Sequence, residues 1–143
     1  MNKPIHILLV EDNEGDILLT TEALEDRKIS NQLSIARDGQ EALDFIFQRG
    51  KFENVEEPDL ILLDINLPKK SGHEVLQIIK SEESYKHIPI LMLTTSSTGK
   101  DVFSSYKNHA NSFITKPIEV DNFQDAIASI EEFWMHTAKL PKV

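Results

Sequence analysis

Residues 59–68 read Asp59-Leu60-Ile61-Leu62-Leu63-Asp64-Ile65-Asn66-Leu67-Pro68. A short, nearly unbroken apolar run that ends in a lone acid and then a proline is the pattern of a strand buried on both faces. Such a strand delivers its terminal carboxylate, Asp64, to the C-terminal edge of a sheet. In open parallel α/β sheets that edge is where ligands sit.

The flanking segments repeat the pattern. Ile5 to Val10 forms a first buried strand and runs into an acidic turn, Glu11-Asp12-Asn13-Glu14-Gly15-Asp16. Ile17, Thr21, Leu24 and Lys28 share one face at helical spacing, and Asp16 as N-cap predicts a helix over about 16–28. Gln32 to Arg37 makes a second strand. Asp38-Gly39 opens a helix through about Arg49, with Ala42, Leu43, Ile46 and Phe47 as its apolar stripe and Gly50 as its terminator. Residues 51–58 form a long polar connection back to the central strand. Ser71-Gly72 leads into a third helix carrying Val75, Leu76 and Ile79, and Ile90 to Leu93 is the fourth strand, ending in Thr94-Thr95-Ser96-Ser97-Thr98. Val102, Phe103, Tyr106 and Ala110 mark a fourth helix. Phe113 to Thr115 is a last short strand, cut off at Lys116-Pro117 because proline supplies no ladder donor. Asp121 then caps an amphipathic helix with Phe123, Ala126, Ile127, Ile130 and Trp134 on one side. Five β-then-α units joined by right-handed crossovers give an α/β three-layer sandwich.

Composition limits the function classes. The 143 residues, 40% hydrophobic, suit one domain with one core, residues 1–143, and a second folded module is not expected within them. There is no cysteine, no apolar stretch near the ~18 residues a membrane span needs, and no positively charged leader-like N-terminus. The expectation is a soluble cytoplasmic protein without disulfide or membrane chemistry. A net charge of -9 with dispersed basic residues argues against nucleic acid and favours a divalent cation or a basic protein surface as partner.

The ends of strands one, three, four and five carry Glu11-Asp12, Asp64, Thr94 and Lys116-Pro117. This constellation resembles the receiver domain of bacterial two-component response regulators over residues 4–134, with 135–143 as a C-terminal tail. The spacings from Asp64 to Thr94 and from Thr94 to Lys116 are similar to those of the single-domain chemotaxis regulator. The interval from Asp12 to Asp64 is longer by about one loop, which falls in 51–58, away from the motif. Arg37-Asp38-Gly39, Thr94-Thr95-Ser96-Ser97, and Ser129-Ile130-Glu131-Glu132-Phe133-Trp134 followed by Leu140-Pro141 more narrowly resemble single-domain regulators that partner phytochrome-type sensor kinases. The resemblance implies a flavodoxin-like (βα)5 fold with parallel sheet order 2-1-3-4-5.

The residues themselves support the chemistry. Glu11, Asp12 and Asp64 gathered at one edge place three negative charges together, which raises carboxyl pKa values unless a cation neutralises them. Mg²⁺ (or Mn²⁺) suits an all-oxygen site and retains several waters. The resemblance assigns metal ligation to Asp12, Asp64 and the backbone carbonyl of Asn66, with Glu11 acting through water. It makes Asp64 the acceptor of a phosphoryl group from a sensor histidine kinase, forming an acyl phosphate. Lys116, the Thr94 hydroxyl and the backbone N–H of Thr95 then stabilise phosphoryl oxygens, and a cis Lys116–Pro117 bond aims the ammonium inward. Thr94 and Phe113 are the switch pair it implies. Asn66 and Ser96 are not ready general bases, which predicts slow loss of the phosphoryl group.

Phe133, Trp134 and Leu140 lie beyond the fifth β-α unit. They predict a homodimer through the final strand and helix, with residues 133–141 contributing, although Trp134 could instead fold back as the end of the last helix's stripe. Output would pass to a downstream protein or a histidine phosphotransfer partner. An aspartyl-phosphate phosphohydrolase is the alternative, but such enzymes place an acid two residues after the nucleophile, where Asn66 stands. A flavin binder is disfavoured by the acidic first loop, which repels phosphate. Gly99-Lys100 lacks the glycine and the following Ser or Thr of a P-loop. The five histidines show no zinc-ligand spacing, and His73 reads as an exposed start of helix three.

Overall fold

The computed structural model describes residues 4–25, 31–95 and 98–141. Five parallel strands, β1 (Ile5–Val10), β2 (Asn31–Ala36), β3 (Leu60–Leu63), β4 (Ile90–Thr94) and β5 (Ser112–Thr115), pair in the order β2-β1-β3-β4-β5. They alternate with α1 (Glu14–Glu25), α2 (Gly39–Ile46), α3 (Gly72–Lys80), α4 (Gly99–Lys107) and α5 (Val120–Ile130). This is the flavodoxin-like order expected from the sequence.

Successive strand side chains point to opposite faces of the sheet. Leu8, Val10, Ile61, Leu63, Ile90 and Met92 therefore join one core with Leu43 and Ile46 of α2 and Leu76 and Ile79 of α3. Ile7, Leu9, Leu60, Leu62, Leu91 and Leu93 join the other, with Ile17 and Leu24 of α1 and Phe123, Ile127 and Ile130 of α5. Both faces of β3 are thus covered, and none of its four residues is more than 1% exposed. That is why its sequence is continuously apolar rather than alternating. The register pairs Val10 with Leu63, Leu63 with Met92 and Thr94 with Thr115, so the residues that follow these strands emerge together at one edge.

Two glycines fix the approach of helices to that edge. A Cβ at Gly72 would overlap the carbonyl oxygen of Asp64, and one at Gly39 would overlap that of Lys70. Both helices consequently begin against the segment that follows Asp64, with the Gly72 N–H donating to the Ile65 carbonyl (2.8 Å) and the Gly39 N–H to that of Pro68 (3.2 Å).

Several boundaries differ from expectation. α1 starts at Glu14, and the side-chain oxygen of Asn13 accepts the Asp16 N–H (2.9 Å), so Asn13 supplies the cap and the Asp16 carboxylate is free to act elsewhere. The expected end of this helix at Lys28 lies outside the described residues. α2 stops at Ile46, and Gln48 (φ 56°) already turns the chain left-handed, before Gly50 (φ 57°) opens a 3-10 turn, Gly50–Phe52. In α4 the expected stripe does not face a core: Phe103 is 70% and Tyr106 50% exposed, and Ser105 is the buried residue. Ala110 is buried but lies beyond the helix. α5 has Glu119 at its N-cap with no side-chain cap bond, and Asp121 sits inside the first turn. Past Ile130 the winding widens to a π-helix, Glu131–Thr137.

Candidate functional site

Asp64 leaves β3 with its N–H donating to the Val10 carbonyl (3.1 Å), Glu11 leaves β1 with its N–H on the Ala36 carbonyl (3.0 Å), and Lys116 leaves β5 with its N–H on the Thr94 carbonyl (2.8 Å). Backbone bonds to a neighbouring strand therefore set the origin of each functional side chain. Asp64, Glu11, Thr94 and Lys116 are all buried, whereas Asp12, Asn66 and Thr95 are exposed. The arrangement is a polar floor beneath an open, exposed rim.

Lys116 is the hub of the floor. An ammonium has three protons to donate, and these go to Glu11 Oε1, to Asp16 Oδ2 (2.9 Å) and to Asp64 Oδ2 (3.0 Å). Burial alone would lower the pKa of Lys116, but the bonds to Glu11 and Asp16 and the fields of Asp64 and Glu11 raise it above the ordinary lysine value. Burial pushes the Glu11 carboxyl up to about 7 against the pull of the Lys116 bond and charge, with the nearby Asp64 charge also raising it. A buried cation holding three acids at once keeps Lys116 charged, and burial leaves Glu11 costly to ionise.

One oxygen from each of Glu11, Asp12 and Asp64 lies within 4.8 Å of the others. Octahedral ligands at the Mg²⁺ distance stand roughly 2.9 Å apart when adjacent and roughly 4.1 Å when opposite, so small rotations would bring these oxygens onto one ion. The donor set is hard, anionic and all-oxygen, and it fits a divalent cation. The Asn66 N–H donates to Asp64 Oδ1 (3.3 Å), which holds the Asn66 backbone beside the same carboxylate.

Thr94 ends β4 fully buried, and Thr95 follows it exposed; Ser96 lies outside the described residues. Phe113 is half-buried against the core beneath α2 and α3, and its N–H donates to the Tyr106 hydroxyl (3.2 Å). Tyr106 thus ties α4 to β5, a role its place in an apolar pattern gave no sign of. Asp16 was likewise read only as a cap. Its one sequence signal was its spacing, four residues past Asp12 in the first turn of a helix that starts at this edge. No cis peptide bond occurs among the described residues, so Lys116–Pro117 is trans, against expectation. Trans is the lower-energy isomer, and three acids draw the ammonium inward without help from the other. His73 is not an exposed helix start either: it is half-buried, with Nε2 3.0 Å from Asp101 Oδ1 of α4.

At the far end of the molecule Phe133 is 52% exposed and packs edge-on against Trp134 (5.4 Å between centroids). Trp134 is half-buried on the core beneath α5, and Leu140 is half-buried. Ile114, Ala126, Ile130, Phe133 and Trp134 line an apolar groove of about 550 Å³ between edge strand β5 and α5. Trp134 thus takes the alternative weighed from the sequence and folds back onto the core, while Phe133 stays outward.

A family model described as the response regulator receiver domain matches residues 7–128. Response regulator Rcp1 of Synechocystis sp. is 45% identical over 140 residues, covering 98% of this chain and 95% of Rcp1. The crystal structure of the phosphorylated cyanobacterial phytochrome response regulator RcpA superposes with a TM-score of 0.95 at 45% identity, over 98% of this chain and 100% of that one. The Mn(2+)-bound form of Rcp1 superposes equally well, with a TM-score of 0.95 at 45% identity over 97% of this chain and 100% of the other.

Proposed function

The chain belongs to the response regulator receiver family, and from that premise we propose that Asp64 accepts a phosphoryl group from the phosphohistidine of a sensor histidine kinase in a Mg²⁺-dependent reaction. The observation that carries this reading is the convergence on Asp64: Lys116 Nζ stands 3.0 Å from Oδ2, and carboxylate oxygens of Glu11 and Asp12 lie within 4.8 Å. An Asp64 oxygen attacks phosphorus, the P–N bond breaks, and the imidazole leaves with the electron pair and regains a proton. A bound Mg²⁺, held by Asp12, Asp64 and the Asn66 carbonyl with Glu11 behind them, would offset negative charge on the phosphoryl oxygens. Lys116 brings a positive charge to those oxygens, while the Thr94 hydroxyl and the Thr95 N–H donate hydrogen bonds to them.

Phosphorylation is then read out through packing. Thr94 moving toward the phosphoryl group leaves space that Phe113 fills, and the Phe113–Tyr106 hydrogen bond links that movement to α4. The similarity to phytochrome response regulators supports a phytochrome-type kinase as the phosphoryl source, with cytoplasmic residence and output through a downstream protein or a histidine phosphotransfer partner. The outward Phe133, which with Trp134 lines an apolar groove, supports a homodimer joined through β5, α5 and the tail, Leu140 included.

The test is incubation with a small acyl phosphate and Mg²⁺, followed by intact mass. One added phosphoryl group is expected on the wild type and none on Asp64→Asn, which keeps shape but lacks the nucleophile. Wild-type loading in the variant would remove Asp64 from the role.

A further inference from the structure

We infer that Asp16 is a positioning residue, one that keeps the Lys116 ammonium aimed at the phosphoryl site while its other partners are drawn away. The inference rests on the phosphoryl-acceptor reading above. All three donors of Lys116 are occupied by carboxylates, those of Glu11, Asp16 and Asp64. Two of these three acids also belong to the group whose oxygens converge for a cation, Glu11 and Asp64, and Asp16 does not. With a divalent ion held at that cluster, Glu11 and Asp64 would share their charge with it, and phosphorylation would then consume an oxygen of Asp64. Asp16 stands outside both events and remains the partner of Lys116 that neither draws away.

Local structure prepares Asp16 for this. Asn13, not Asp16, caps α1, so the Asp16 carboxylate is not spent on the helix. Its backbone is fixed in turn, since the Asp16 carbonyl accepts the hydroxyl of fully buried Thr20 (2.8 Å). Lysine carries a long, mobile stem whose ordering is costly. Without Asp16, a cation at the acidic cluster would leave Lys116 with weakened partners just before the phosphoryl group arrives.

Wild type, Asp16→Ala, Asp16→Asn and Asp16→Glu should be loaded with acetyl phosphate in saturating Mg²⁺ and followed by intact mass. Loading is expected to slow about tenfold in Asp16→Ala, as a mis-aimed group at a reacting centre does, to fall between in Asp16→Asn, and to return with Asp16→Glu. Two further readouts separate aim from mere packing. The Lys116 ¹⁵N-ammonium resonance of the Mg²⁺-bound, unphosphorylated protein should be sharp in wild type and Asp16→Glu and lost to exchange in Asp16→Ala. The Mg²⁺-induced rise in melting temperature should be the same in wild type and Asp16→Ala. Wild-type or faster loading in Asp16→Ala would overturn the inference, as would a lost Mg²⁺ shift, which would make Asp16 a ligand. A wild type that does not load at all removes the phosphoryl-acceptor reading, and this inference with it.

Discussion

Glu11→Gln in metal-free buffer separates the two forces that act on the buried acid. Burial raises the Glu11 carboxyl from 4.5 to about 7 in the folded protein despite Lys116. Below pH 4.5 both folded and unfolded chains hold this proton, and the group contributes nothing to pH dependence. Between 4.5 and 7 the unfolded chain has released it and the folded chain has not, so stability falls as pH rises through that window. The displacement of about 2.5 units corresponds to about 3 kcal/mol at 1.36 kcal/mol per unit. With Glu11 only 2% exposed, solvent screening does not reduce this much. For a chain of 143 residues an unfolding entropy near 2.1 cal/mol/K per residue converts it to about 10 °C in melting temperature. Lys116, raised above its ordinary value, does not titrate in this window and leaves the slope untouched. Urea unfolding in EDTA from pH 4 to 8 should therefore find Glu11→Gln equal to wild type at pH 4 and more stable by about 3 kcal/mol at pH 8. A difference that stays flat, or a wild type that gains on the variant as pH rises, would show that the Lys116 ion pair outweighs burial and would refute the reasoning.

Saturating Mg²⁺ should raise the melting temperature, by about 2.7 kcal/mol of stabilisation at a hundred times Kd; Asp12→Ala should erase most of the shift in a thermal melt, and an equal shift in both proteins would place the ion elsewhere. Asn66→Glu should change the decay rate of the loaded protein by about tenfold, through general-base chemistry, while intact mass shows unchanged loading; decay indifferent to the exchange removes Asn66 from the control of water. Phe133→Asp should convert a dimer to a monomer in sedimentation at tens of micromolar without lowering stability, because Phe133 is exposed and Trp134 and Met135 keep their core contacts; a wild type that is monomeric with and without phosphodonor would end the interface proposal.

The fold was legible because both faces of its sheet are buried. A strand covered on one face only alternates and can be confused with loop or helix, but β3 and β4 had to be continuously apolar, and their short length ruled out helices. α3 was equally clear, since the Ser71 hydroxyl accepts the Glu74 N–H (3.2 Å) and its buried residues sit at helical spacing. α4 misled because the same spacing of Val102, Phe103 and Tyr106 has two physical origins. A stripe can face a core, or it can be left outward, and periodicity does not record which. The cap of α1 failed for a related reason: Asn13 and Asp16 are both able caps, and it is Asn13 that caps while Asp16 bonds Lys116 from the other end of the chain.

That choice shows where reading by sequence stops within the site. Glu11, Asp12, Asp64, Thr94 and Lys116 could be found because each ends a strand, and the order of strands along a parallel sheet carries them to one edge. Asp16 ends no strand. It reaches the hub from the first turn of a helix, a hundred residues away in sequence from its partner, and apart from its spacing from Asp12 nothing in its neighbours distinguishes it from a solvated acid at a helix N-terminus, where the dipole favours carboxylates anyway. Only the count of donors exposes it: Lys116 has three protons, Glu11 and Asp64 satisfy two, and a buried ammonium left one bond short would be costly. A third acceptor was therefore required by the burial of Lys116 at the end of β5, and α1 is the element that supplies it.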